Sequence, residues 1–132
     1  MFRLLKIENG RMNVPEPEYL EAKASEAIEY GEALVLTAGK LTKASGTTAP
    51  THIAMAVKAA ADADRRMPTC RIEPNQVYAV PVTAAPTSLV PGAKVTIHTD
   101  GLQVTATTTD GVVKVVDLNG AKAIGDEIIV RF

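Results

Sequence analysis

At 132 residues, 46% of them hydrophobic, the chain has the size of one domain that buries a self-sufficient core without a metal or disulfide staple. Its 14 basic and 15 acidic residues leave no global field to gather nucleic acid or anionic lipid, and the lone Cys70 excludes an intramolecular disulfide scaffold and fits a reducing cytosol. Two Phe, three Tyr and no Trp disfavour a sugar-binding platform or a base-stacking groove, both of which use exposed rings.

In the first ten residues, MFRLLKIENG, charge interrupts every apolar stretch, and no run in the chain approaches the roughly 18 apolar residues that cross a bilayer. Neither an export signal nor a membrane segment is expected. Residues 2–7 have the composition of a strand, but Asn9-Gly10, Pro15 and Pro17 break the chain beyond them. The reading is an extended N-terminal arm over residues 1–24 and a β domain over 25–132. In the arm, Phe2, Leu4, Leu5, Ile7, Val14 and Tyr19 are the candidate contacts to another chain, because an extended segment laid on a sheet edge gains main-chain hydrogen bonds and side-chain pockets. The alternative stands equally: residues 2–7 form the first strand of the domain's own sheet. Glu16, Glu18, Glu21, Glu26 and Glu29 read first as a solvated face of a short helix or strand, and second as a docking surface.

From Ile28 onward the pattern is β. Residues 34–37 and 41–44 flank Ala38-Gly39, a hairpin turn that Gly permits. Residues 52–57 alternate, with Ile53, Met55 and Val57 assigned to the core, and residues 58–68 are expected to be a loop. Strands are expected over 70–73 and 77–82, the second confined to a sheet edge by Pro81, which donates no ladder hydrogen bond. Pro86, Pro91 and Gly92 form a linker to residues 95–99. Asp100-Gly101, Asp110-Gly111 and Asn119-Gly120 then divide a meander of strands near 102–108, 112–118 and 127–132. Residues 31–48 and 92–109 share the order strand, Gly turn, strand, Thr-rich exit; an internal duplication and two hairpins alike by physics alone both account for this.

Chemistry is sparse. Gly39-Lys40 lacks the second Gly that a phosphate loop needs five positions earlier, where Leu34 stands. His52 and His98 lie far apart with no ligand spacing, and Ser25, Ser45 and Ser88 sit in no nucleophile elbow. Asp100 and Asp110 are explained by the turns they begin, Cys70 reads as a small buried hydrophobe, and Arg65-Arg66 is too short a basic step to bind nucleic acid. No cofactor or metal is expected, and the chain reads as no enzyme. A cluster of Asp64, His52 and His98 would revive one.

The opening MFRLLKI, the segments GEALVL and KLTKA beginning at Gly31 and Lys40, PTHIAMA at 50–56, GAKVTIHTDG at 92–101 and the ending GDEIIVRF together resemble the small head decoration, or cement, proteins of tailed bacteriophages. The likeness runs along nearly the whole chain but consists of strand-and-turn phrases without a catalytic signature. It implies a virion protein, made and assembled in the host cytoplasm, that binds the outside of the expanded capsid in many copies. The implied partner is the major capsid protein, with self-association as a trimer favoured. The expected architecture is an all-β antiparallel barrel or sandwich built from hairpins. Other functions left open are a low-copy tail or head-completion protein and a small ligand-binding accessory module.

Overall fold

The computed structural model describes residues 1–8 and 15–132; Val14 lies outside the described residues. Within them the fold is all-β, with ten strands: β1 (Arg3–Ile7), β2 (Glu18–Ala22), β3 (Ala33–Thr37), β4 (Lys40–Lys43), β5 (His52–Ala54), β6 (Arg65–Arg71), β7 (Gln76–Pro81), β8 (Lys94–Val95), β9 (Val113–Asp117) and β10 (Glu127–Arg131). One sheet runs β1-β7-β10-β9-β8, antiparallel throughout. The other five strands close into a small barrel in the order β2-β4-β3-β5-β6.

The barrel interior takes one side chain from each of its strands, Ala22, Leu41, Leu34, Ala54 and Met67, with Ile28 from the connecting chain, all at most 1% exposed. Their neighbours Ala33 and Ile53 point the other way, into a larger core shared with Tyr78, Val80, Val115, Ile128 and Val130 of the open sheet. Alternation along β3 and β5 therefore feeds two cores from one barrel wall, which is why β3 begins as an unbroken apolar run, Ala33 to Leu36. The β3–β4 hairpin pairs Thr37 with Lys40 across Ala38 and Gly39, whose φ values of 50° and 79° are those of the mirror-image two-residue turn.

The arm expected over residues 1–24 resolves, where described, into two integral strands. β1 pairs with β7 from Arg3↔Ala79 to Ile7↔Gln76, and β2 pairs with β6 over five residues from Glu18↔Thr69 to Ala22↔Arg65. Phe2 is 2% exposed, its ring 5.2 Å from that of Phe132, which lies 5.5 Å from Tyr78. Burial of a large ring beside two others outweighs what the same ring would gain by waiting in solvent for a partner chain.

Three other expectations need correction. Strand β7 is interior, flanked by β1 and β10, not at an edge. Pro81 is tolerated because Val82 N–H donates to Asp126 at 3.0 Å while the Pro81 carbonyl accepts from Val104, so Pro81 turns its polar backbone away from β10. On that side β1 has already ended, opposite Ala79. Residues 65–68, expected in a loop, begin β6, and the turn before them wraps Lys58, which is 1% exposed. Its Nζ donates to the carbonyls of Glu26, Ala59 and Asp62 at 3.1–3.3 Å, so a buried ammonium organises a segment that composition alone marks as mobile. Val57, assigned to the core, is 54% exposed because β5 ends at Ala54.

The expected strand at 102–108 is reduced to bridges at Val104, with Ile97 and Val82. The two similar segments differ in regularity: the first is a four-pair hairpin, and the second an irregular one, with backbone bonds from Thr96 to Thr107, from Thr105 to Thr96 and from His98 to Gln103, docked on the first. Gly46 and Ile97 exchange backbone hydrogen bonds at 2.8 and 3.0 Å, and Gly101, at φ 69°, lies so close to Glu32 that a Cβ there would meet Glu32 Cγ at 2.8 Å. Asn119-Gly120, with φ of 52° and 74°, forms the mirror-image turn its sequence predicts.

This packing sets two stability outcomes. Phe2→Ala is expected to cost about 3–5 kcal/mol, the usual loss for a buried ring, and urea unfolding of the variant measures it. Ala38 pays for a left-handed conformation that Asn adopts readily, so Ala38→Asn is expected to raise stability by about 1 kcal/mol in the same assay.

Candidate interaction surface

Where β1 of the open sheet meets β5 and β6 of the barrel, the outer wall does not close. A cleft of about 310 Å³ lies between them, lined by Phe2, Leu4, Tyr30, Ile53, Met55, Cys70 and Tyr78. Met55 N–H donates to Pro68 O at 3.0 Å, and Pro68 pairs with Tyr19 on β2. Cross-strand partners share a face, so Met55, Pro68 and Tyr19 make an apolar row leading out of the cleft over the barrel's outer wall. Of the five aromatic residues, three form the internal cluster, while Tyr19 and Tyr30 are 57% and 54% exposed.

The candidate contacts read from sequence thus separate. Tyr19 lies exposed on this surface, Leu4 half-buried at its margin, and Phe2 forms its floor from within the core. Leu5, 42% exposed, is the residue at which the β1–β7 register shifts, and Ile7 is half-buried at the end of β1. Tyr30 and Pro68 were not singled out by sequence, and Met55, assigned there to the core, is half-buried and lines the cleft because β5 ends at Ala54. The signal for Tyr30 was present in the scarcity of rings, since a Tyr adjoining a glycine between strands has little core to enter.

Polar groups flank the surface. Arg3 Nη2 reaches Glu127 Oε2 at 2.6 Å. On β2, Glu18 accepts two bonds from Arg71, at 2.7 and 3.1 Å, and one from His52 Nε2 at 3.3 Å. The Arg71 hydrogen bonds hold the Glu18 carboxyl below its ordinary value. His52, 2% exposed, meets the Thr51 hydroxyl at Nδ1, 2.8 Å away, and that oxygen also accepts the Leu36 amide at 3.2 Å. The series ties β2, β5 and β6 together. His98 faces Asp100 at 3.1 Å, whereas Asp64 binds Lys40 and the Ala24 amide, so Asp64, His52 and His98 have separate partners. Among the described residues no group of three or more His, Cys, Asp or Glu side chains is placed to hold a metal ion.

Beneath the Gly101 turn lies Glu32, 1% exposed. Its Oε2 accepts the Glu29 amide at 2.8 Å, and its Oε1 has only Lys43 Nζ, at 3.4 Å. Burial pushes the Glu32 carboxyl above its ordinary 4.5, the Glu29 amide and Lys43 opposing.

No family model matches this chain, and no curated protein or solved structure matches it. Its class is set by its own architecture, an open antiparallel sheet packed on a closed five-stranded barrel.

Because the folded state holds the Glu32 proton more tightly than the unfolded chain does, this group's contribution to stability falls as pH rises from 4.5 through the raised value. Glu32→Gln is expected to remove that slope, so the stability of the variant relative to wild type grows with pH. Thermal unfolding between about pH 4 and pH 8 measures this, and a difference that stays flat refutes it.

Proposed function

We propose that this chain is a non-enzymatic virion structural protein that binds the outer surface of the expanded capsid of a tailed bacteriophage in many copies and stabilises it, with the major capsid protein as its partner. The resemblance in strand-and-turn phrases along nearly the whole sequence supports the reading. The structural observation that carries it is the pair of exposed tyrosines, Tyr19 and Tyr30, on an apolar surface spanning the junction of two tied β bodies. Exposed Tyr with apolar neighbours is the composition of an interface anchor, and a weak contact repeated over a lattice gains avidity. Contact in this reading is made through side chains and not by adding a strand. The barrel is closed, β8 has two residues, and β1 carries Arg3, Lys6 and a register shift, all devices that blunt an edge.

A second reading rests on the same cleft: about 310 Å³ of mainly apolar space is at the lower bound for a small-molecule site, which fits a ligand-binding accessory module.

The test is co-sedimentation with expanded, undecorated capsids, bound copies being counted against the major capsid protein. Saturable binding at many copies per shell is expected, and Tyr19→Ala or Tyr30→Ala should weaken it by roughly 30-fold, equivalent to about 2 kcal/mol for an anchor residue. Folded protein that does not sediment with shells rejects the decoration reading, and the low-copy virion part and the ligand-binding module then take its place.

A further inference from the structure

The barrel is closed unevenly. β2 is held to β6 by five residue pairs, and β3 to β4 by four, but β2 meets β4 at a single parallel pair, Ala22↔Leu41, made in part by the hydrogen bond from Lys23 N–H to Leu41 O at 3.0 Å. Past Leu41 the free side of β4 has no ladder. Glu26 accepts the Lys43 amide at 2.7 Å and the Thr42 hydroxyl at 2.6 Å, so a side-chain carboxylate occupies the place of a neighbouring strand. Asp64 accepts the Ala24 amide at 2.5 Å and the Lys40 ammonium, which also lies 3.7 Å from Glu21.

We propose that the β2–β4 seam is the opening point of the barrel: it parts locally, β2 remaining on β6, and side-chain carboxylates, Glu26 first, hold it shut. The ranking rests on exposure. Lys40, Glu21 and Asp64 are ion-paired in solvent, where such pairs contribute little, whereas Glu26 is half-buried and satisfies two donors of β4 that would otherwise lose their partner. Parting the seam bares the side of the barrel core formed by Ala22 and Leu41 and leaves the larger core untouched. The opening is therefore small in newly exposed surface and separate from global unfolding.

NMR-detected hydrogen exchange on the full chain tests this, with rates corrected for intrinsic exchange. In wild type, the amides of Lys23 and Lys43 should exchange through an opening with weak denaturant dependence, while Val80 and Ile128 exchange only through global unfolding with a steep one. Glu26→Gln, which retains one acceptor where two bonds are made, should speed the two seam amides at least about tenfold, the effect of a 1.36 kcal/mol loss, without matching change at Val80 and Ile128. Asp64→Asn should act at the same positions more weakly. Seam amides that share the denaturant dependence of Val80 and Ile128 in wild type overturn the proposal, as does a Glu26→Gln variant that accelerates all amides alike or leaves the seam unchanged.

Discussion

Tyr78 sits on the interior strand β7 of the open sheet with β1 on one side and β10 on the other, and its ring, Phe132 and Phe2 pack in sequence across those strands. Segments from opposite ends of the sequence must both be in place before this cluster exists, so the sheet forms only when distant parts of the chain have met. Long-range pairing of this kind carries a loop-closure cost that the local hairpins do not. Tyr78 contributes a further fixed point, since its hydroxyl donates to Gln76 at 2.5 Å inside the core and burial pushes its pKa far above the ordinary 10. The barrel then rests on the sheet through Ala33 and Ile53, and the cleft is the space left where β1 and β5 diverge.

This dependence sets the chemistry of the exposed surface. Three of five rings are consumed in joining β1, β7 and β10, so the two left outside are the exposed aromatics, beside exposed aliphatic side chains such as Val57, Val90 and Ile124. The charges beside that surface are paired, Arg3 with Glu127 and Arg71 with Glu18, so in the proposed role contact would rest on side chains in place of steering by charge.

Local grammar was legible in the sequence where one residue type answers one backbone need. Ala38-Gly39 and Asn119-Gly120 were readable as turns because positive φ at consecutive positions admits few residues. The all-β class was readable from many short alternating runs. What escaped was decided at long range. Asn9-Gly10 and two prolines signal a break in the chain, but they say nothing of whether Phe2 on the near side finds a ring to pack on, and Phe132 supplies one. Pro81 signals a missing donor, but only the length of β1 decides whether that donor is missed. Lys58 reads as solvated charge until three carbonyls converge on it. The site was legible only in part for the same reason. Tyr19 could be named from its place in an extended segment, whereas the row from Met55 through Pro68 exists by virtue of register between strands far apart in sequence.

Cys70, the chain's one thiol, stands in the wall between the cleft and the larger core, 8% exposed. Burial raises its pKa, and its Sγ lies within reach of Gln76 Nε2 and the Arg71 carbonyl, so a reagent that enters the cleft meets the thiol in its protonated, weakly nucleophilic form. Alkylation at neutral pH is therefore slow in the folded protein and quickens when the wall around Cys70 loosens. The molecule accordingly carries its own clock for loosening at that wall, read from the one thiol it already has.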